Sequence, residues 1–172
     1  MDAFVIEGTT LKGLTDYGQR QESIVLPDTI TTIGEYAFED CTNLTSITIP
    51  SSVTEIGKGA FQGCSGLINI TIPDSVTKIG NWTFTDCTSL TSVSIPDGVT
   101  SIGEWAFEDY TGLTSITIPS SVTSIGEDAF QGCTSLTDIY VNQAESTLLD
   151  NASVPDGCKI HWNSTGSGSG SV

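Results

Sequence analysis

Between Ile24 and Asp138 the apolar positions recur in one fixed order. Ile-x-Ile-Pro is followed by Val-x-x-Ile-Gly, then Ala-Phe, then Cys and Leu, with polar residues between. The period is 23 residues, and three columns measure it: Pro27, Pro50, Pro73, Pro96 and Pro119; Gly34, Gly57, Gly80, Gly103 and Gly126; Phe38, Phe61, Phe84, Phe107 and Phe130. A repeat of this length predicts a solenoid, in which each unit covers the apolar face of the one before. Five units result, at 24–46, 47–69, 70–92, 93–115 and 116–138.

Within a unit, Leu44-Thr-Ser-Ile47-Thr-Ile49-Pro50 alternates as a strand does, with Ile47 and Ile49 inward and Ser46 and Thr48 outward. Proline closes it, since it cannot donate to a continuing ladder. Val53 and Ile56 are the next inward pair, a second short strand. Gly57 is read as supplying a backbone conformation closed to other residues at the corner. Lys58 to Cys64 is too short for a self-supporting helix and suits one turn of 3-10 or α-helix on the outer side. The fold class is therefore a mainly β solenoid with parallel sheet and short outer turns. Residues 93–138 also echo 24–69, an offset of three units that suggests growth by block duplication.

The ends depart from the pattern. Residues 1–23 hold two short apolar runs around Gly8 and read as a hairpin capping the first rung. Residues 139–162 read as a closing cap, with a helix over Gln143–Ala152 and a final strand into Trp162. Residues 163–172 are a Gly/Ser tail, a flexible linker or an appended sequence. All of it forms one domain.

Charge changes the picture of partners. Against 21 acidic residues stand 5 basic ones, a net of −16. Phosphate binding needs cations that displace counterions, so nucleic acid is not expected as a partner, nor is an anionic membrane. No stretch is apolar enough for membrane insertion. Such acidity favours a soluble monomer whose copies repel one another. Met1 begins no recognisable secretory leader. Cys41, Cys64, Cys87 and Cys133 share one repeat position and read as buried thiols filling a core column, with Tyr110 standing in the same column in the fourth unit. A bridge between neighbouring rungs stays geometrically open. Neither a metal nor a cofactor is expected, since His161 is the one histidine and no Cys/His ligand spacing occurs.

The pattern Ile-x-Ile-Pro-x-x-Val-x-x-Ile-Gly-x-x-Ala-Phe-x-x-Cys-x-x-Leu resembles the BspA-like leucine-rich repeat across residues 24–138. The leader around Phe4-Val-Ile-Glu-Gly and the ending Cys158-Lys-Ile-His-Trp162 resemble that family's caps. The resemblance implies a leucine-rich-repeat coil with a concave parallel sheet. It also implies bacterial surface or secreted proteins, often associated with adhesion, and an extracellular location if a leader precedes the chain. It brings no catalytic residue. Tyr110, and Thr83 in place of the alanine before Phe84, depart from it.

Two sets of residues are candidate binding positions. The first is the outward row of the sheet: Ser46 and Thr48, Asn69 and Thr71, Ser92 and Ser94, Ser115 and Thr117, then Asp138 and Tyr140. Solenoid sheet faces commonly bind partners, although Ser and Thr are also ordinary solvent-facing strand residues. The second is the position before Ala-Phe, with Tyr36, Gly59, Trp82, Trp105 and Asp128. Trp82 and Trp105 fall on adjacent coils, where a pair of aromatics either stacks on a sugar or protein partner or covers the phenylalanine column. Carboxylates at Asp86, Glu108 and Asp109 read as a solvated face. No nucleophile–base pair or phosphate loop suggests an enzyme. A non-enzymatic module binding protein or glycan is the expected function. A structural spacer is the alternative, and ice binding a remote third that the mixed outward rows argue against.

Overall fold

The computed structural model of the chain describes residues 2–163. It is a coil of short strands with almost no helix. Chain order gives β1 (Phe4–Glu7), β2 (Thr10–Leu14), β3 (Ser23–Val25), β4 (Thr32–Ile33), β5 (Ser46–Thr48), β6 (Glu55–Ile56) and β7 (Asn69–Ile70). Then follow β8 (Lys78–Ile79), β9 (Ser101–Ile102), β10 (Ser115–Ile118), β11 (Ser124–Ile125), β12 (Asp138–Val141) and β13 (Lys159–Trp162). A seven-stranded side sheet runs β1-β2-β4-β6-β8-β9-β11, parallel apart from the β1–β2 hairpin. A front sheet is split into β3-β5-β7 and β10-β12-β13.

The period explains the register. Ile24, Ile47 and Ile70 lie on adjacent rungs, as do Ile116, Ile139 and Ile160. The isoleucines of rungs 24 to 139 point inward and are buried. The five phenylalanines form a single interior file, fully buried, with ring centroids 5.1–5.8 Å apart and planes within 8° of parallel. A buried phenylalanine contributes roughly 1.5–3 kcal/mol over its exposed state, and here each needs its neighbours to be buried at all.

The outer segment is not the helical turn expected from its length. It is a run of turns whose N–H groups alternate in direction. Tyr36, Phe38 and Asp40 donate to Lys58, Ala60 and Gln62 of the next coil, while Ala37, Glu39 and Cys41 donate back to Gly34, Tyr36 and Phe38. Half the amides thus tie coils together, which a helix would have kept for itself. Among the described residues the one 3-10 helix is Gly18–Arg20, in the N-terminal cap.

The corner glycines also have a different cause. Gly57, Gly103 and Gly126 do not adopt positive φ; a Cβ there would sit 2.3–2.8 Å from main-chain nitrogens of the preceding coil. They are glycine because successive backbones touch. Within the repeats the positive φ values fall elsewhere, on the outer turn.

The N-terminal hairpin turns at Gly8, φ 62°, and lays β2 parallel against β4, burying Leu11. At the other end β13 forms, but the helix over Gln143–Ala152 does not. That segment is bends and turns. Its carbonyls are taken across coils, Asn151 accepting from Asp128 N–H and Ala152 from Phe130 N–H, so it mimics one more outer turn with Leu149 and Ala152 buried. Of the Gly/Ser tail only Asn163 lies among the described residues.

Candidate functional site

The position before Ala-Phe lies on the outer turn, and its backbone is left-handed in every unit: Tyr36 φ 54°, Gly59 φ 60°, Trp82 φ 55°, Trp105 φ 51° and Asp128 φ 55°. The alternating hydrogen bonds impose this, since each of these N–H groups must reach the next coil, as Trp82 does to Glu104 O at 2.9 Å and Trp105 to Glu127 O at 3.0 Å. Left-handed backbone suits glycine and costs an ordinary residue roughly 1–2 kcal/mol.

On this frame the side chains form a ladder. The Trp82 and Trp105 rings stack at 5.1 Å between centroids, 3° from parallel. Lys58 Nζ lies 4.6 Å from the centroid of Trp82 and 5.8 Å from that of Tyr36. Gly59 leaves space for the Tyr36 ring, which a Cβ would meet at 2.3 Å. Tyr36, Lys58, Trp82 and Trp105 are all half-buried. Thr85 Oγ1 donates to Trp105 O at 2.7 Å and fixes the second tryptophan's main chain. The sequence places the two tryptophans on adjacent coils correctly. It misses Lys58, whose signal was a lone cation one residue before the aromatic column.

The outward row on the front sheet is less regular than expected. Thr48, Asn69, Thr71, Ser94, Thr117 and Tyr140 are exposed; Ser46 and Asp138 are half-buried. Ser46 Oγ donates to Ser23 Oγ at 3.0 Å. Thr71 lies just past β7, and Ser92 and Ser94 sit on a rung that joins neither half of the sheet. The expected continuous columns are therefore broken in the middle. At the C-terminal end the row changes character. The Tyr140 ring stacks on His161 at 4.6 Å, and His161 Nε2 lies 2.8 Å from Asp138 Oδ1. Thr137 Oγ1 donates to Asp138 Oδ2 at 2.8 Å. The histidine and threonine hydrogen bonds hold the Asp138 carboxyl below its usual pKa. His161 was not foreseen as a member, because it comes from the cap strand β13, outside the repeat.

The thiols are not chemistry. All five cysteines are free. Cys64, Cys87 and Cys133 donate to Phe38, Phe61 and Phe107 carbonyls at 3.0–3.2 Å. Burial, with the Asp40 charge second, pushes Cys41 up to about 11; burial is also the main cause that takes Cys87 up to about 12. A protonated thiol at neutral pH is a poor nucleophile. Asp86 and Asp109 are exposed, whereas Glu108 is half-buried; desolvation, then Asp109, Asp86 and Asp128, raise its pKa. Among the described residues no group of three or more His, Cys, Asp and Glu is placed to hold a metal ion, and no helix is long and apolar enough to cross a membrane.

Comparison with known proteins fits the register just described. The model for the BspA-type leucine-rich repeat region matches residues 16–152 in six copies. The chain belongs to the BspA-type leucine-rich repeat family. The six copies exceed the five full units because the match reaches into both caps. No curated protein matches the chain. Among solved structures it is similar to a leucine-rich repeat protein of T. pallidum, at 26% identity and TM-score 0.77, over 90% of this chain and 73% of that one. It is similar to one from Bacteroides ovatus at 33% identity and TM-score 0.67, over 82% of this chain and 46% of that one. It is also similar to a leucine-rich cell surface protein of Faecalibacterium prausnitzii, at 29% identity and TM-score 0.58, over 80% of this chain and 52% of that one. The chain thus spans about half the length of the last two. These relatives and this chain share the leucine-rich-repeat coil as a repeat module.

Proposed function

We propose that this chain is a non-catalytic binding module displayed outside a bacterial cell, which acts as a monomer and engages a protein or glycan partner through the outer ladder of Tyr36, Lys58, Trp82 and Trp105. The observation that carries this reading is the left-handed backbone of the two tryptophans, φ 55° and 51°. Bulky residues are rare there and point to a use beyond folding. The fold does not require them, because Gly59 occupies the same position one coil earlier. Stacked, half-exposed indoles beside a cation are suited to sugar rings and to apolar–acidic protein surfaces. The surface location rests on the family and on the relative described as a cell surface protein.

The test uses glycine, the residue the backbone prefers. Trp82→Gly with Trp105→Gly should leave the circular dichroism spectrum intact, because relief of left-handed strain offsets part of the lost ring burial. Binding on glycan and host-protein arrays should fall at least about tenfold. A folded double variant that binds as the parent does would remove the ladder from function and leave the spacer reading standing.

A further inference from the structure

Among the described residues β13 pairs with β12 alone, at the end of its half of the front sheet. Its inward column continues Ile116 and Ile139, but Ile160 is 39% exposed where Ile139 is fully buried. Beside Ile160 and Trp162 the structure has a cavity of about 630 Å³. Glu127, Asp128, Glu145 and Asp150 line the same cavity. An apolar strand flank and four acidic residues thus share one cleft.

We infer that this cleft receives an extended, cationic segment of a partner polypeptide, which adds a strand to the free edge of β13. The chemistry of the lining selects it. Free main-chain groups on an edge strand pair with any extended peptide. Alternate side chains of that peptide enter the cleft. Long Arg or Lys stems lie along Ile160 and Trp162, and their charged ends reach the carboxylates. An acidic peptide would be repelled by the same four groups. Residues 164–172 do not have that chemistry, since they contain no basic residue and, in Val172, one apolar residue. This inference does not rest on the tryptophan ladder, which lies on other coils.

The probe is a labelled, blocked octapeptide of alternating Thr and Arg, followed by fluorescence polarisation on the whole chain. Because the protein is strongly acidic, the comparison has to separate the cleft from general attraction. Glu145→Gln with Asp150→Asn should weaken binding at least about tenfold. Glu22→Gln with Glu55→Gln, exposed residues of the other half with the same charge change, should alter it less than about twofold. A Thr-Glu octapeptide should not bind, and Trp82→Gly should leave binding unchanged. Equal losses in the two charge-matched pairs would overturn the inference, showing polyelectrolyte attraction only. A dimeric mass in sedimentation that the Thr-Arg peptide fails to dissociate would also overturn it, by giving the cleft to a second copy.

Discussion

Between the units 70–92 and 93–115 the two flanks of the coil are held differently. On the outer flank the main-chain ladder and the ring stacks are kept. β8 and β9 pair, Phe84 stacks on Phe107 at 5.7 Å, and Trp82 stacks on Trp105. Trp82, Phe84 and Asp86 all donate to the next coil. On the front, residues 92–95 make no main-chain hydrogen bond to either neighbouring rung among the described residues. Three sequence departures meet here. Tyr110 replaces the cysteine whose thiol would bond Phe84 O. Val93 replaces isoleucine. Gly98 replaces the serine whose hydroxyl, in Ser52, Ser75 and Ser121, bonds the carbonyl one coil back. A repeat fold is close to a sum of interfaces between neighbours, so one junction can lose a flank while the coil continues on the other.

The largest effect should come from attacking the flank that remains. Phe84→Ala removes a ring stacked on both sides and should cost about 3–5 kcal/mol. Val93→Ala, on the loosened rung, should cost about 2 kcal/mol or less. Urea denaturation of both variants checks this. Equal costs would mean that the front contributes as much as the phenylalanine file, and the contrast would fail.

A smaller effect concerns the tyrosine at this junction. Tyr110 is fully buried, tilted 56° against Phe107, and its hydroxyl has no hydrogen-bond partner. An unsatisfied buried hydroxyl costs about 1–3 kcal/mol. Tyr110→Phe keeps the ring and removes that group, so it should stabilise by about 1 kcal/mol, read as a higher urea midpoint at unchanged slope. Destabilisation would show that the hydroxyl is in fact satisfied.

The same junction shows how far the sequence could be read. The phenylalanine file, the inward isoleucines and the buried thiol column follow from a period that any core slice must repeat. Those columns are set by burial, which leaves an apolar signature. What escaped was set by main-chain direction. The outer turns and the 143–152 segment look helical by composition, yet their amides and carbonyls are committed to other coils, and that commitment leaves no side-chain mark. The glycines were correctly located and wrongly explained, since clearance and positive φ select the same residue. At the candidate sites the tryptophan pair was legible because it breaks a column. Lys58 was not, because it reaches the rings from one position before their column, and His161 was not, because it comes from the cap strand outside the repeat. Tyr110, Val93 and Gly98 stand out in the sequence as departures at this junction, but the gap at 92–95 shows only in the geometry.

The smallest effect would restore one link at the weak junction. Gly98 has ordinary φ, and a Cβ on it would lie 3.3 Å from Asp74 O and 3.8 Å from Val76 O. In Gly98→Ser the hydroxyl can therefore reach Val76 O, as Ser75 reaches Val53 O and Ser121 reaches Val99 O. A hydrogen bond of this kind contributes about 0.5–1.5 kcal/mol. The gain should sit near the lower end, because the Asp74 carbonyl must shift by a few tenths of an ångström. The informative reading is local. Amide exchange at Ser92–Ile95 should slow in the variant if the serine draws this rung toward the preceding coil. A gain in overall stability with no change in exchange there would mean that the serine link and the front ladder are independent.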